Sequence, residues 1–173
     1  MQLKSLREGF LGMDNGEIDS FFRDAGLTDS VTRFEWPPNI IWKFQAVGSQ
    51  MTIQTQASVN RMRIVAVIKE ARKCDREVLS TLLEANYHSA LDARYALTEN
   101  MLVAVFLHPF KELTLCQFIS GLYQTISCAE TFGSTYSGGT MIFGRSPHGR
   151  QADTTEPPLQ NFLAAVISKI KQV

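Results

Sequence analysis

The chain has 173 residues, 45% hydrophobic and 20% charged, enough apolar material for one ordinary folded domain and too little charge for a disordered one. Its 17 basic and 17 acidic residues cancel, so it lacks the overall basic footprint of a nucleic-acid binder. No apolar run approaches the roughly 18 residues of a membrane span, the apolar N-terminal run is broken by charge, unlike a secretory signal, and Cys74, Cys116 and Cys128 lack paired spacing, which predicts free thiols in a reducing compartment.

Residues 1–13 form an irregular lead-in in which Leu3, Leu6, Phe10 and Leu11 keep helical spacing. A firmer helix is predicted from Asp14 to Ala25. Asp14 with Glu17 is a capping-box pair, Ile18, Phe21, Phe22 and Ala25 make the apolar stripe, and Gly26 closes it. Pro37-Pro38 blocks helix and leads into three strands. Ile40, Trp42, Phe44 and Ala46 alternate with Ile41, Lys43 and Gln45; Met51, Ile53 and Thr55 alternate with Thr52, Gln54 and Gln56; Met62, Ile64, Ala66 and Ile68 alternate with Arg61, Arg63, Val65 and Val67. Turns are predicted at Gly48-Ser49 and Ser58–Asn60. This is an antiparallel meander with one apolar face and a more polar one.

Asp75 is an N-cap for a helix whose apolar side is Val78, Leu79, Leu82, Leu83 and Ala85, ending near Asn86 or Tyr87. Leu91, Ala93, Tyr95 and Leu97 then alternate with Asp92 and Arg94, a strand with one wet face. Thr98, Glu99 and Asn100 make the turn. Met101 to Leu107 is apolar on both faces, which predicts an interior strand or one that meets another subunit. His108-Pro109 ends it. Leu115, Ile119, Leu122, Ile126 and Ala129 form one helical stripe, stopped by Gly133. Residues 134–158 are rich in glycine, serine, threonine and proline and read as a linker, interrupted by Met141-Ile142-Phe143. Pro157-Pro158 opens a last amphipathic helix over 159–173, lined by Leu159, Phe162, Leu163, Val166, Ile167 and Ile170.

The predicted fold class is α+β. An antiparallel sheet of about five strands carries helices on one side, in the order α-β-β-β-α-β-β-α, with a C-terminal helix added. The organisation is a domain over 1–133, the linker over 134–158 and the helix over 159–173.

No motif spells out a reaction, and no catalytic, cofactor or metal residue is assigned. His108 sits at a strand end, where a general base can stand, yet no acid or nucleophile keeps a motif-like spacing to it. His88, His148 and the cysteines show no CxxC, HExxH or HxH pattern. Ser137-Gly138-Gly139 lacks the lysine and flanking elements of a phosphate cradle. Asp92, Arg94, Lys43, Arg61 and Arg63 read either as a solvated sheet face or as contacts for a partner's carboxylates. Met51, Met62, Met101 and Met141, with Trp42, Phe44 and Phe106, read as core or as an adaptable peptide-binding surface. The apolar excess of the sheet marks Ile41, Val65, Val67, Leu102, Ala104 and Phe106 as candidates for a dimer seam or a partner groove.

The runs RMRIVAVI, VLSTLLEANY and LDARYALTENMLVAVFLHP, with the following helix through ETFG, resemble the class I type III secretion chaperones of the Tir-chaperone type and the related bacterial YbjN family. The resemblance spans roughly residues 14–133. It implies a small cytoplasmic homodimer without enzymatic activity, whose partner is a protein such as an effector or a regulatory protein. The implied function is to hold an apolar segment of that partner, with neither nucleic acid nor membrane involved. The alternative left open is a sensory or regulatory accessory protein of YbjN type that has no link to secretion.

Overall fold

The computed structural model describes residues 12–134 and 159–171. The elements in chain order are α1 (Asn15–Asp24), β1 (Thr32–Trp36), β2 (Asn39–Ala46), β3 (Ser49–Gln56), β4 (Arg61–Glu70), α2 (Arg76–His88), β5 (Arg94–Thr98), β6 (Met101–His108), α3 (Leu115–Glu130) and α4 (Leu159–Lys171). The six strands form one antiparallel sheet in the order β1-β2-β3-β4-β6-β5. The class is α+β. The predicted lead-in over 1–11, the linker over 135–158, its Met141-Ile142-Phe143 patch and His148 lie outside the described residues.

Alternation along the strands becomes two sheet faces, because successive side chains point to opposite sides. Register aligns Trp42, Ile53, Ile64 and Phe106 across β2, β3, β4 and β6. A second row joins Phe44, Met51, Ala66, Ala104 and Tyr95. All of these residues are buried, and the helices lie over them. The capping box of Asp14 and Glu17 starts α1 as predicted, and Phe22 of α1 meets Phe44 edge-on at 5.5 Å. Phe21 packs on Phe118 of α3 at 5.2 Å. Asp19 anchors α1 to the sheet by accepting a 2.7 Å bond from the Trp42 indole N–H. Gly121 lets α3 approach β6 closely, since an added Cβ would stand 2.6 Å from the Phe106 ring. Val166 and Ile170 of α4 are buried in the same core. The backbone N–H of Val47 donates to the Lys169 carbonyl at 3.3 Å, and Lys169 pairs with Glu130. The C-terminal helix therefore packs on α3 and β2 of its own chain.

The structure corrects the strand count from five to six. Thr32–Trp36 pairs with β2 ahead of Pro37-Pro38. It escapes a periodicity reading because all five residues are exposed and no buried face imposes alternation. Turn positions shift slightly. The β2–β3 turn is Val47-Gly48, both at positive φ, and Thr98 belongs to β5 opposite Met101. Leu91 lies in a turn at φ 56 rather than in the strand.

Two polar side chains tie β5 into place. Gln124 is buried within α3, and its Oε1 accepts the backbone N–H groups of Asp92 at 2.9 Å and Ala93 at 3.0 Å. Asn86 of α2 donates to the Tyr95 carbonyl at 2.9 Å and accepts from the Tyr95 N–H at 2.7 Å, as a neighbouring strand would. Replacing Gln124 with leucine strands two N–H donors, one of them buried. We expect Gln124→Leu to lower unfolding stability by about 1–3 kcal/mol, read as a lower urea midpoint at unchanged slope.

Candidate functional site

The strand residues that point away from the helices form the second face. The row Phe34, Ile41, Gln54, Arg63 and Leu107 crosses β1, β2, β3, β4 and β6. The adjacent row is Thr32, Lys43, Thr52, Val65, Val105 and Arg94. Val67 pairs with Val103, and Val103 with Ala96. None of Ile41, Val65, Val67, Val103 and Val105 joins the helix-side core, whereas the buried apolar residues of every helix do. Among the described residues, no helix covers this face. Phe34 is 45% exposed and Leu107 62%. Ile41, Val65, Val67 and Val105 are half-buried, and Val103 is buried at 3% exposure.

This placement divides the sequence candidates. Ile41, Val65 and Val67 lie together on the open face. Leu102, Ala104 and Phe106 do not: they are 1%, 0% and 4% exposed within the core under the helices. On β6 the outward residues are instead Val103, Val105 and Leu107. The physical reason is register. Arg61 and Arg63 fix which parity of β4 faces water, and the β4–β6 pairing carries that parity onto β6, where the sequence is apolar at every position and names no side. Of the methionine and aromatic set, Met51, Met62, Trp42, Phe44 and Phe106 are core, Met101 is half-buried, and Met141 is outside the described residues.

Electrically the face is mainly positive. Lys43, Arg61, Arg63 and Arg94 all belong to it and are exposed. Lys43 Nζ stands 5.4 Å over the Phe34 ring, and the Arg63 guanidinium donates twice to Gln54 Oε1, at 2.8 and 2.6 Å. The strands contribute one acid to this side, Glu70 opposite Met101 at the far end. It is held by Arg72 and Lys73, which keep its carboxyl below the usual range. A register shift between Val67 and Lys69 turns Lys69 to the helix side, where its Nζ sits 4.7 Å over Phe132.

The two edges of the sheet differ. At β5, Asn86 occupies the Tyr95 backbone and Gln124 that of Ala93. At the other edge all five residues of β1 are exposed, Trp36 to 73%, and among the described residues no further strand pairs with it. The sequence reading missed this edge with its aromatic pair, Phe34 and Trp36. The two-residue spacing of those aromatics ahead of Pro37-Pro38 is the signal that marks it.

His108 lines a cleft of about 340 Å³ with Asp92, Arg94, Gln117 and Ser120, where β6 runs on past the start of β5. Its Nδ1 bonds the Pro109 carbonyl at 2.8 Å, its ring stacks on Phe106, and it forms no ion pair with Asp92. Among the described residues, no group of three histidine, cysteine or acidic side chains is placed to hold a metal ion, and no helix is long and apolar enough to cross a membrane. No family model and no curated protein sequence matches the chain.

The thiols occupy three environments: Cys116 exposed, Cys74 half-buried and Cys128 buried. Burial pushes the Cys128 thiol up to about 11, against a smaller opposing effect of Tyr95 and Arg94. The fold is thus favoured by a neutral Cys128. That contribution is full below the unfolded thiol value of about 8.5 and is lost as pH rises toward 11. We expect iodoacetamide at neutral pH to alkylate Cys116 rapidly and Cys128 only on unfolding, by mass mapping. Native Cys128 reacting as fast as Cys116 would contradict the placement.

Proposed function

We propose that the protein is a non-enzymatic, chaperone-like protein-binding module that works as a homodimer and holds an apolar segment of a protein partner on the open sheet face. The observation that carries this reading is the helix-free face of Ile41, Val65, Val67, Val105 and Leu107, continuous with an exposed edge strand. Covering such a face releases water from valine and leucine side chains, the main driving force of association. The free N–H and C=O groups of an edge strand offer main-chain hydrogen bonds. Resemblance to the secretion chaperones agrees with this use, and three unpaired thiols agree with a cytoplasmic setting.

The edge and the face take different roles. Antiparallel pairing of β1 with β1 of a second copy is self-complementary, as a twofold interface requires, and it leaves the face free for the partner segment. Against an enzyme stands the state of the cleft at His108: its ring is engaged by the Pro109 carbonyl, the Ser120 hydroxyl accepts from Gln124, and neither Ser120 nor Asp92 is hydrogen-bonded to the ring.

Sedimentation at micromolar concentration is expected to give a dimer. The double substitution Thr32→Lys, Trp36→Lys lines both edges with like charge and shifts it to monomer, with far-ultraviolet circular dichroism unchanged. A wild-type protein that stays monomeric at every soluble concentration would overturn the dimer and the use of the β1 edge.

A further inference from the structure

We infer that the segment held on the open face is acidic as well as apolar, an extended peptide whose carboxylates reach Arg63 and Arg94. This deepens the proposed function and rests on it. The chain is neutral overall, so a face carrying Lys43, Arg61, Arg63 and Arg94, against Glu70 already held by Arg72 and Lys73 and Asp92 in the cleft beside Arg94, is a local excess of positive charge. Like charge across an interface is repulsive and opposite charge selects the partner.

The geometry sets the peptide's pattern. Val65, Val105 and Leu107 form the apolar centre, with Arg63 opposite Leu107 on one side and Arg94 opposite Val105 on the other. Arg63 and Arg94 lie on strands separated by β6, about 10 Å apart across the sheet. Carboxylates two to four residues apart on an extended segment span about 7–13 Å, so a sequence mixing valine-like and acidic residues can touch the apolar centre and both guanidiniums. Guanidinium groups suit this task because their planar fork matches a carboxylate.

The same charges argue against the other occupants. A second copy laid face to face would set these four cations against four more. The chain's own segments outside the described residues do not complement the face either. Residues 1–11 hold Lys4 and Arg7 against Glu8, and 135–158 hold Arg145 and Arg150 against Asp153 and Glu156, so neither segment brings a net negative charge to the face. A single-stranded nucleic acid would supply negative charge, but its bases need aromatic platforms; the exposed aromatics of this face, Phe34 and Trp36, stand on β1, three strands from Arg63 and further from Arg94, and the centre between those arginines is valine and leucine.

The test uses the full-length protein and labelled nine-residue peptides followed by fluorescence anisotropy: alternating valine–glutamate, valine–lysine and valine–threonine, beside a nine-nucleotide oligothymidylate. The valine–glutamate peptide is expected to bind at least tenfold more tightly than the others and to weaken as salt screens the pairing. Arg63→Glu, Arg94→Glu should reverse the preference toward the valine–lysine peptide, with circular dichroism and sedimentation unchanged; Arg63→Gln, Arg94→Gln, which adds no negative charge, should abolish the preference for glutamate without reversing it. Equal binding of the valine–threonine peptide overturns the acidic specificity while leaving a protein-binding face. Preferential binding of the lysine peptide does the same. Tighter binding of the oligonucleotide overturns it in favour of nucleic acid. Binding of none of the four overturns both the specificity and the proposed function.

Discussion

The pairing of β4 with β6 is the contact on which the rest depends. It joins Ile64 to Phe106 and Val65 to Val105, residues far apart in the chain and separated by α2 and β5. That one ladder decides the orientation of a strand whose own residues cannot. If β6 slipped by a single residue, Phe106 would leave the pocket beside Gly121 and turn to water, because side chains alternate with a period of two. Gly121 and Phe106 therefore lock the register from the helix side, while Arg63 opposite Leu107 fits it from the solvent side. Both layers of the molecule take their sense from this match.

Much of the fold is legible in the residues. Capping pairs, apolar stripes and glycine stops place the helices, because each is a local signal read within one or two turns. The meander from β2 to β4 is equally plain, since Lys43, Gln54 and Arg63 punctuate its apolar positions. What stays hidden is whatever lacks local contrast. β1 has no buried face to pattern it, and β6 is apolar throughout, so half of the candidate interface residues fall on the wrong side until pairing is known. Leu102, Ala104 and Phe106 are core for a reason that lies in β4, not in β6. The charge on the open face shows the same limit. A net charge of zero is correct for the chain and conceals a surface on which one sign dominates, because net charge carries no geometry.

Gln124 and Asn86 illustrate how polar groups specify what apolar packing leaves free. Neither belongs to a motif. Each is a long-range match between an amide side chain and backbone groups that would otherwise be unpaired at the start and the outer side of β5. Buried backbone groups are costly when unsatisfied, so these two amides fix where β5 sits relative to α2 and α3. They also set the height at which Arg94 projects onto the open face.

The Asn86 clasp has one more consequence, for growth. A sheet with two open edges can add copies without limit and become a fibre. Here one side chain stands in for the next strand at Tyr95, which disfavours extension from the β5 side. Two copies joined through β1 would present an Asn86-blocked edge at both ends, and the assembly would terminate itself at two. A single amide would thus separate a finite particle from an open polymer.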